Sequence, residues 1–403
     1  MIERSRYIKK LMPFINKPII KVITGIRRCG KSTLLQQIIQ ILQSNKIPPQ
    51  QIIYINKELV EFDEIKTYRD LHNFIQEKKQ GKFIKYYLFI DEVQEIEYWE
   101  KAINSLLAEQ NYDIYITGSN ARLLSSELAS LLSGRYVEFK MHTLVYAEFK
   151  EFIQHKHLKT GESDFELFKK YGGFPGIHHM DLDDIVIRQY LQSIYNSVLL
   201  KDVIVRNQIR DAAMLDVISR YLIDNCGNIT SAKGISDFMK SQNRKVSVDT
   251  VLNYIRFSCD ALLFEKVLRF DLKGKRLLET YEKYYMADIG FRYATLGYTP
   301  QAISGQLENI IYLELQARDY TVTIGKVEDM EIDFIATKGS EKLYIQVCSN
   351  LTGDKVIERE YRSLEMITDH FPKYVLSLDK GFETSKSGIK WMNIEDFLLQ
   401  ENW

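Results

Sequence analysis

Cysteine is scarce in this chain: four in 403 residues, at 29, 226, 259 and 348, and none in C-x-x-C spacing. That argues against a disulfide framework or a thiolate zinc site and for a reducing cytoplasm. Proline is scarce too, at seven, and no tract is of low complexity, so no long disordered linker is expected. No apolar run reaches the length of a membrane span, and the opening MIERSRYIKKLMPF lacks the apolar core of a signal peptide. The expectation is a cytoplasmic chain with no membrane partner. No charge sign is in excess, since Lys+Arg and Asp+Glu are 54 each. Whole-chain charge therefore says nothing for or against nucleic acid, although a basic patch in one domain remains open. His178 and His179 are adjacent rather than at helical i, i+4 spacing and read as an ordinary surface or loop pair. The abundant tyrosine and phenylalanine read as core rather than as a base-stacking platform.

What is present starts with Gly25-Ile26-Arg27-Arg28-Cys29-Gly30-Lys31-Ser32-Thr33, a G-x-x-x-x-G-K-[ST] phosphate-binding loop. Apolar residues 19–24 before it read as a buried strand. Leu34, Leu35, Ile38, Ile39 and Leu42 after it share one helical side. Backbone N–H groups at that helix start would face the phosphates. Lys31 would reach the β/γ-phosphates, and the Ser32 hydroxyl would ligate Mg²⁺.

Further strands are expected at Ile52–Asn56 and Tyr86–Ile90, the second ending in Asp91-Glu92. In a parallel sheet, catalytic groups gather at the carboxyl ends of strands. Asp91 would hold Mg²⁺ through water and Glu92 would polarise the attacking water, a pair that favours hydrolysis over nucleotide binding alone. The next strand, Asp113–Thr117, leads into Gly118-Ser119-Asn120. Either Ser119 or Asn120 senses the γ-phosphate, or one of them caps the following helix, expected over Leu123–Leu132 and broken at Ser133-Gly134. Arg135 opens a fifth strand. It stabilises transition-state charge in its own chain or a neighbouring copy, or it is a structural surface arginine.

The stretches GIRRCGKSTLL, YYLFIDEVQEIEYWEKAINSL, IYITGSNARLLSSELASLLSGRYVEF and YGGFP resemble a family of prokaryotic AAA-type P-loop ATPases. Its members carry a C-terminal domain of unknown function whose fold resembles restriction endonucleases. The resemblance covers nearly the whole chain and implies ATP binding, hydrolysis and no settled biological role. The expected class is α/β: a P-loop (AAA-type) parallel sheet over 1–148, a helical lid over 149–211, a winged-helix-like domain over 212–300 and an endonuclease-like domain over 301–403.

In the lid, Gly172-Gly173-Phe174-Pro175 is a hinge or a turn. Three helices and a hairpin turning at Lys273-Gly274-Lys275 outline the winged helix, with a modest basic surface of Arg244, Lys245, Arg256, Lys273, Lys275 and Arg276. That surface suits DNA, an interdomain contact or a protein partner. In the last domain Glu308 and Asp333 match nuclease positions, but Gln346-Val347-Cys348 stands where Glu-x-Lys is expected. Cleavage is not expected unless Lys338 or Lys342 substitutes for the missing lysine. The expected function is an ATP- and Mg²⁺-dependent switch acting on DNA or a protein partner. The alternatives are an ATP-gated DNA binder with little turnover and a protein-interaction ATPase, and oligomerisation is open.

Overall fold

The computed structural model of the chain describes residues 2–79, 83–121, 132, 134–158, 161–297, 303–381 and 385–401. Its contacts divide the chain into two units, residues 1–142 with 260–262, and residues 143–259 with 263–403.

The first unit is built on β1 (Ile20–Thr24), β2 (Ile52–Asn56), β3 (Tyr86–Asp91), β4 (Tyr112–Gly118) and β5 (Tyr136–Lys140). They form one sheet in the order β2-β3-β4-β1-β5. All four pairings are parallel. β1, β3 and β4 are buried along their whole length, as strands covered on both faces must be. β2, at an edge, alternates instead. The core packs Ile20, Val22, Leu88 and Ile90 of the sheet against Leu71 and Ile75 of the helix Tyr68–Lys78 and Ile103 and Leu106 of the helix Trp99–Ala108. Two charges interrupt the apolar strands. Lys21 of β1 and Asp113 of β4 are fully buried and ion-paired, and Asp113 also accepts from Asn16 N at 2.8 Å and Tyr115 Oη at 3.0 Å. The helix expected over Leu123–Leu132 lies, Leu132 apart, outside the described residues.

The second unit opens with the helices Tyr146–Lys156, Asp164–Tyr171 and Asp184–Ser197, the last running into a π-helical stretch, Val198–Val205. The three helices expected before the hairpin are Ala212–Asp224, Ala232–Ser241 and Val248–Asp260. Ser231 caps the second of them through Gly234 N at 3.1 Å. The hairpin of β6 (Phe264–Asp271) and β7 (Arg276–Met286) follows. β8 (Thr321–Val327), β9 (Met330–Lys338), β10 (Glu341–Val347), β11 (Lys373–Ser377), β12 (Ser385–Lys386) and β13 (Ile389–Asn393) complete an eight-stranded sheet, ordered β12-β13-β11-β10-β9-β8-β6-β7. β6 pairs in parallel with β8 through Arg269↔Ile324 to Asp271↔Lys326. The hairpin expected to complete a winged helix is therefore part of the same sheet as the last strands, and that sheet runs across the boundary expected at residue 300.

Gly172-Gly173-Phe174-Pro175 is a packed turn. Gly172 has φ +75°, and a Cβ there would stand 1.9 Å from Asp288 Oδ1. Gly173 donates its N–H to Asp288 Oδ2 at 2.8 Å and accepts from Leu144 N at 2.7 Å. His178 is not a surface residue: its ring lies edge-on to Phe149 and Phe152, at 4.9 and 5.3 Å, and burial pushes its imidazole down to about 4. Only His179 of that pair is exposed.

Burial pushes the Asp288 carboxyl up to about 6, against the pull of donors on Thr143, Gly173 and Gly290. The native state thus holds this proton more tightly than the unfolded chain, whose aspartate titrates near 4. The stability of the unit is expected to fall as pH rises from about 4 to about 6, by up to about 3 kcal/mol from this group. Urea titrations across that range check it: Asp288→Asn should flatten the fall, and an unchanged slope would remove Asp288 as its source.

Candidate active site

The phosphate loop leaves the carboxyl end of β1. A Cβ on Gly25 would stand 2.2 Å from Met141 O and 2.8 Å from Cys29 Sγ, so this tight crossing requires glycine. Gly30, at φ 107°, ends the loop, and the helix Lys31–Ser44 begins directly after it. Leu34, Leu35, Ile38 and Leu42 bury one side of that helix and fix its direction. Its first N–H groups have no intrahelical acceptor and open onto the loop. Lys31, 4% exposed, donates to Gly25 O at 3.0 Å and lies 3.3 Å from Glu92 Oε1.

The two carboxylates close the site from β3. Because β4 lies between β1 and β3, its carboxyl end reaches the acidic pair at the end of β3. Thr117 Oγ1 donates to Asp91 Oδ1 and accepts from Glu92 N at 3.0 Å. Tyr54 Oη donates to Asp91 Oδ2 at 3.4 Å. Glu92 has left-handed backbone (φ 55°, ψ 53°), which turns its side chain out of the strand rhythm. Its Oε2 accepts from Ser119 Oγ at 2.9 Å and Gln94 Nε2 at 2.5 Å. Burial alone would raise the Glu92 carboxyl, but the Lys31 ammonium with the Gln94 and Ser119 donors holds it below the ordinary value. Burial likewise opposes the Lys31 charge, and Glu92, Cys29 and Asp91 hold that ammonium above its usual value.

Residues 17–150 match the family described as an AAA domain, and residues 163–302 match a domain of unknown function. An uncharacterized protein of Haemophilus influenzae is 37% identical over 407 residues, 99% of each chain. The chain belongs to the same family as this uncharacterized protein, and its residues 17–150 are an AAA-type domain. A second uncharacterized relative, from Methanocaldococcus jannaschii, is 32% identical over 399 residues, 93% of this chain and 85% of its own. Among solved structures, the Walker-type ATPase of Pyrococcus abyssi aligns at TM-score 0.46 and 15% identity, over 73% of this chain and 95% of that one. The Aeropyrum pernix ORC1 protein in complex with DNA aligns at 0.32 and 11%, over 72% and 90%. At these scores neither likeness bears on what this chain binds.

The other expected site residues of the AAA domain divide. Ile26 and Cys29 are buried in the loop, Arg27 pairs with Glu58 at 3.3 Å, and Arg28 is exposed. Ser32 and Thr33 are half-buried at the helix start. Ser119 bonds Glu92, while Asn120 beside it is 3% exposed. The helix that either would cap falls on undescribed residues. Arg135 is exposed at the amino end of β5, whose register with β1 runs from Ile20↔Tyr136 to Thr24↔Lys140. The loop follows Thr24, so Arg135 lies at the opposite end of the sheet, roughly 15 Å away along the strand. A role on its own chain's loop is corrected by that register.

In the second unit, Glu308 and Asp333 do come together, but Cys348 is turned to Leu376 O at 3.7 Å. Neither lysine considered as a substitute joins them. Lys342 pairs with Asp369 at 3.7 Å, and Lys338 lies over the Tyr320 ring. The cation present there is Lys283 of β7, described below. Of the basic surface expected on the winged helix, Lys273 pairs with Glu328 at 2.7 Å, while Arg244, Lys245, Arg256, Lys275 and Arg276 are exposed.

Thr117, Gln94 and Arg4 escaped the sequence reading. Arg4, 3% exposed, donates from Nη1 to Cys29 O at 3.2 Å and from Nη2 to His142 O at 3.1 Å. It ties the loop to the chain beyond β5 from a position 21 residues before Gly25, and no local motif marks it. Loss of two charge-assisted bonds is worth roughly 1–2 kcal/mol in loop order. Arg4→Ala is expected to weaken ATP binding about 5- to 30-fold. Calorimetric titration checks this, and an unchanged Kd would leave Arg4 with folding alone.

Proposed function

We propose that this chain is a Mg²⁺-dependent ATPase whose nucleotide state switches residues 149–403 on DNA or a protein partner. The observation that carries the reading is the Lys31–Glu92 pair, 3.3 Å apart and nearly excluded from water. In this state Glu92 is a poor base, because the ammonium holds its carboxyl low. A γ-phosphate arriving in the loop competes for Lys31. As the ammonium swings to the phosphate, Glu92 loses its largest favourable charge, and burial raises its carboxyl toward the range of a working base. Ser119 and Gln94 keep it aimed while it takes a proton from the attacking water. Substrate binding thus arms its own base.

Ser32 and Asp91 supply hard oxygen donors, and Asp91 is already oriented by Thr117 and Tyr54, a donor set that suits Mg²⁺. They would hold the ion, Asp91 through water, and when bound it neutralises charge on the β- and γ-phosphates. The loop's backbone over residues 25–33 positions the triphosphate. Asn120 is the second candidate for contact with the γ-phosphate. Arg135 is assigned to a neighbouring copy, where its exposure leaves it available. Residues 301–403 are read as binding without cutting: Gln346 offers a neutral carbonyl and Cys348 no base suited to a hard cation. Metal-dependent cleavage lost in Asp333→Ala would overturn that part.

Phosphate release and ATP binding test the main claim. Lys31→Ala should abolish binding. Glu92→Gln should bind ATP and turn over about 10²- to 10⁴-fold more slowly. Equal turnover in wild type and Glu92→Gln would end the proposal. Turnover raised by duplex DNA, with a steep loss on added salt, would select nucleic acid as the partner. Turnover indifferent to DNA would select protein.

A further inference from the structure

The second unit contains a cavity of about 1000 Å³ outside the nucleotide site. Glu308, from the helix Ile303–Ala317, and Glu331 and Asp333, from one face of β9, line it. The helix Asp354–Glu365 contributes Lys355, Arg359 and Ser363 to it. Ser363 is 3% exposed, and its Oγ has no hydrogen-bond partner among the described residues. The three carboxylates converge on one group, the Lys283 ammonium, which is 2% exposed. Its Nζ lies 3.0 Å from Glu308 Oε2, 2.7 Å from Glu331 Oε1 and 3.6 Å from Asp333 Oδ1. Tyr285, two residues along β7, donates to Glu308 Oε2 at 3.0 Å, and Val347 N donates to Asp333 Oδ2 at 2.8 Å.

Carboxylate oxygens drawn from separate elements to one buried point make a site for a hard cation. An ammonium meets the same need with three N–H donors, and removing it would leave buried like charges uncompensated. Longer N···O separations also hold the oxygens farther apart than a divalent ion requires. Consistent with this, among the described residues no group of three or more His, Cys, Asp or Glu is arranged to hold a metal ion. Burial alone would lower the Lys283 ammonium, yet Glu308, Asp333 and Glu331 hold it well above its usual range. Burial keeps the Glu308 and Asp333 carboxyls raised even so.

We propose that Lys283 is the resident cation of a divalent-metal-type site formed by Glu308, Glu331 and Asp333, and that its ammonium shuts Mg²⁺ and Mn²⁺ out of those three carboxylates. The proposal deepens the non-cutting reading of residues 301–403 but is tested by binding rather than by cleavage. Beside that ion cluster the cavity presents the unpartnered Ser363 hydroxyl and Lys355, together with Arg359, which is bonded to Glu360, and its wall holds its shape with no dependence on metal supply.

Mn²⁺ titration of the nucleotide-free full chain, followed by paramagnetic resonance and thermal shift, decides it. Wild type and Lys283→Arg should show no Mn²⁺ site that Asp333→Asn removes. Lys283→Met should gain one Mn²⁺ with a raised melting temperature, and Lys283→Met with Asp333→Asn should lose it again. If Lys283→Met folds only when Mn²⁺ is supplied, the ion has replaced the ammonium and the proposal stands. A wild-type Mn²⁺ site abolished by Asp333→Asn would overturn it, and so would a Lys283→Met chain that neither binds Mn²⁺ nor is rescued by it. Cleavage without such a metal site would sink the non-cutting reading and leave the assignment of Lys283 intact.

Discussion

The nucleotide site depends on the interposition of one strand. With β4 between β1 and β3, the lysine that follows the loop and the acidic pair that ends β3 cannot be sequence neighbours or strand neighbours. They meet in the direct Lys31–Glu92 ion pair, and the end of β4 sets the acidic pair where that contact can form. Thr117 carries both parts of that task, since its single hydroxyl donates to Asp91 and accepts from the Glu92 backbone. Ser119, just past the end of β4, donates to the Glu92 carboxylate. Two charges of opposite sign are therefore held apart and yet in contact in a water-poor cleft, where their interaction is far stronger than in solvent. Gly25, Gly30 and the left-handed turn at Glu92 are the backbone conditions under which that contact forms.

Much of the first unit was legible because its signals are local. An apolar run before Gly25, a helical stripe after Ser32 and an apolar run ending in Asp91-Glu92 each declare an element and an end of it. Strand order is not local, and it decided two questions. It made Ser119 a partner of Glu92, and it set Arg135 at the far end of the sheet from its own loop. Arg4 was invisible for another reason: a guanidinium that bonds two backbone carbonyls depends on where the chain passes, and the identities of the residues it meets leave no pattern.

The second unit shows the same division. Lys273-Gly274-Lys275 and its alternating flanks gave the hairpin, because a turn and its register are short-range. Which sheet the hairpin joins depends on β6 meeting β8 some fifty residues on, and only three residue pairs carry that junction. His178 was misplaced because a polar residue beside a second histidine reads as surface, whereas two phenylalanine rings one helical turn apart enclose it. Lys283 was passed over because its partners lie in segments assigned to a different domain.

That misplacement has a structural consequence for the sheet. A strand that slips by one residue turns every side chain to the opposite face. A slip of β7 would carry the Lys283 ammonium away from Glu308, Glu331 and Asp333 and present Glu282 or Tyr284 to them instead. The ion cluster is thus a registration pin, costly to form and costlier to form wrongly. It ties the last hundred residues to the hairpin before them, so the chain's domain seam cannot lie between the two: a fragment beginning at residue 301 would leave Glu308, Glu331 and Asp333 with no counter-ion and an unpaired edge along β8.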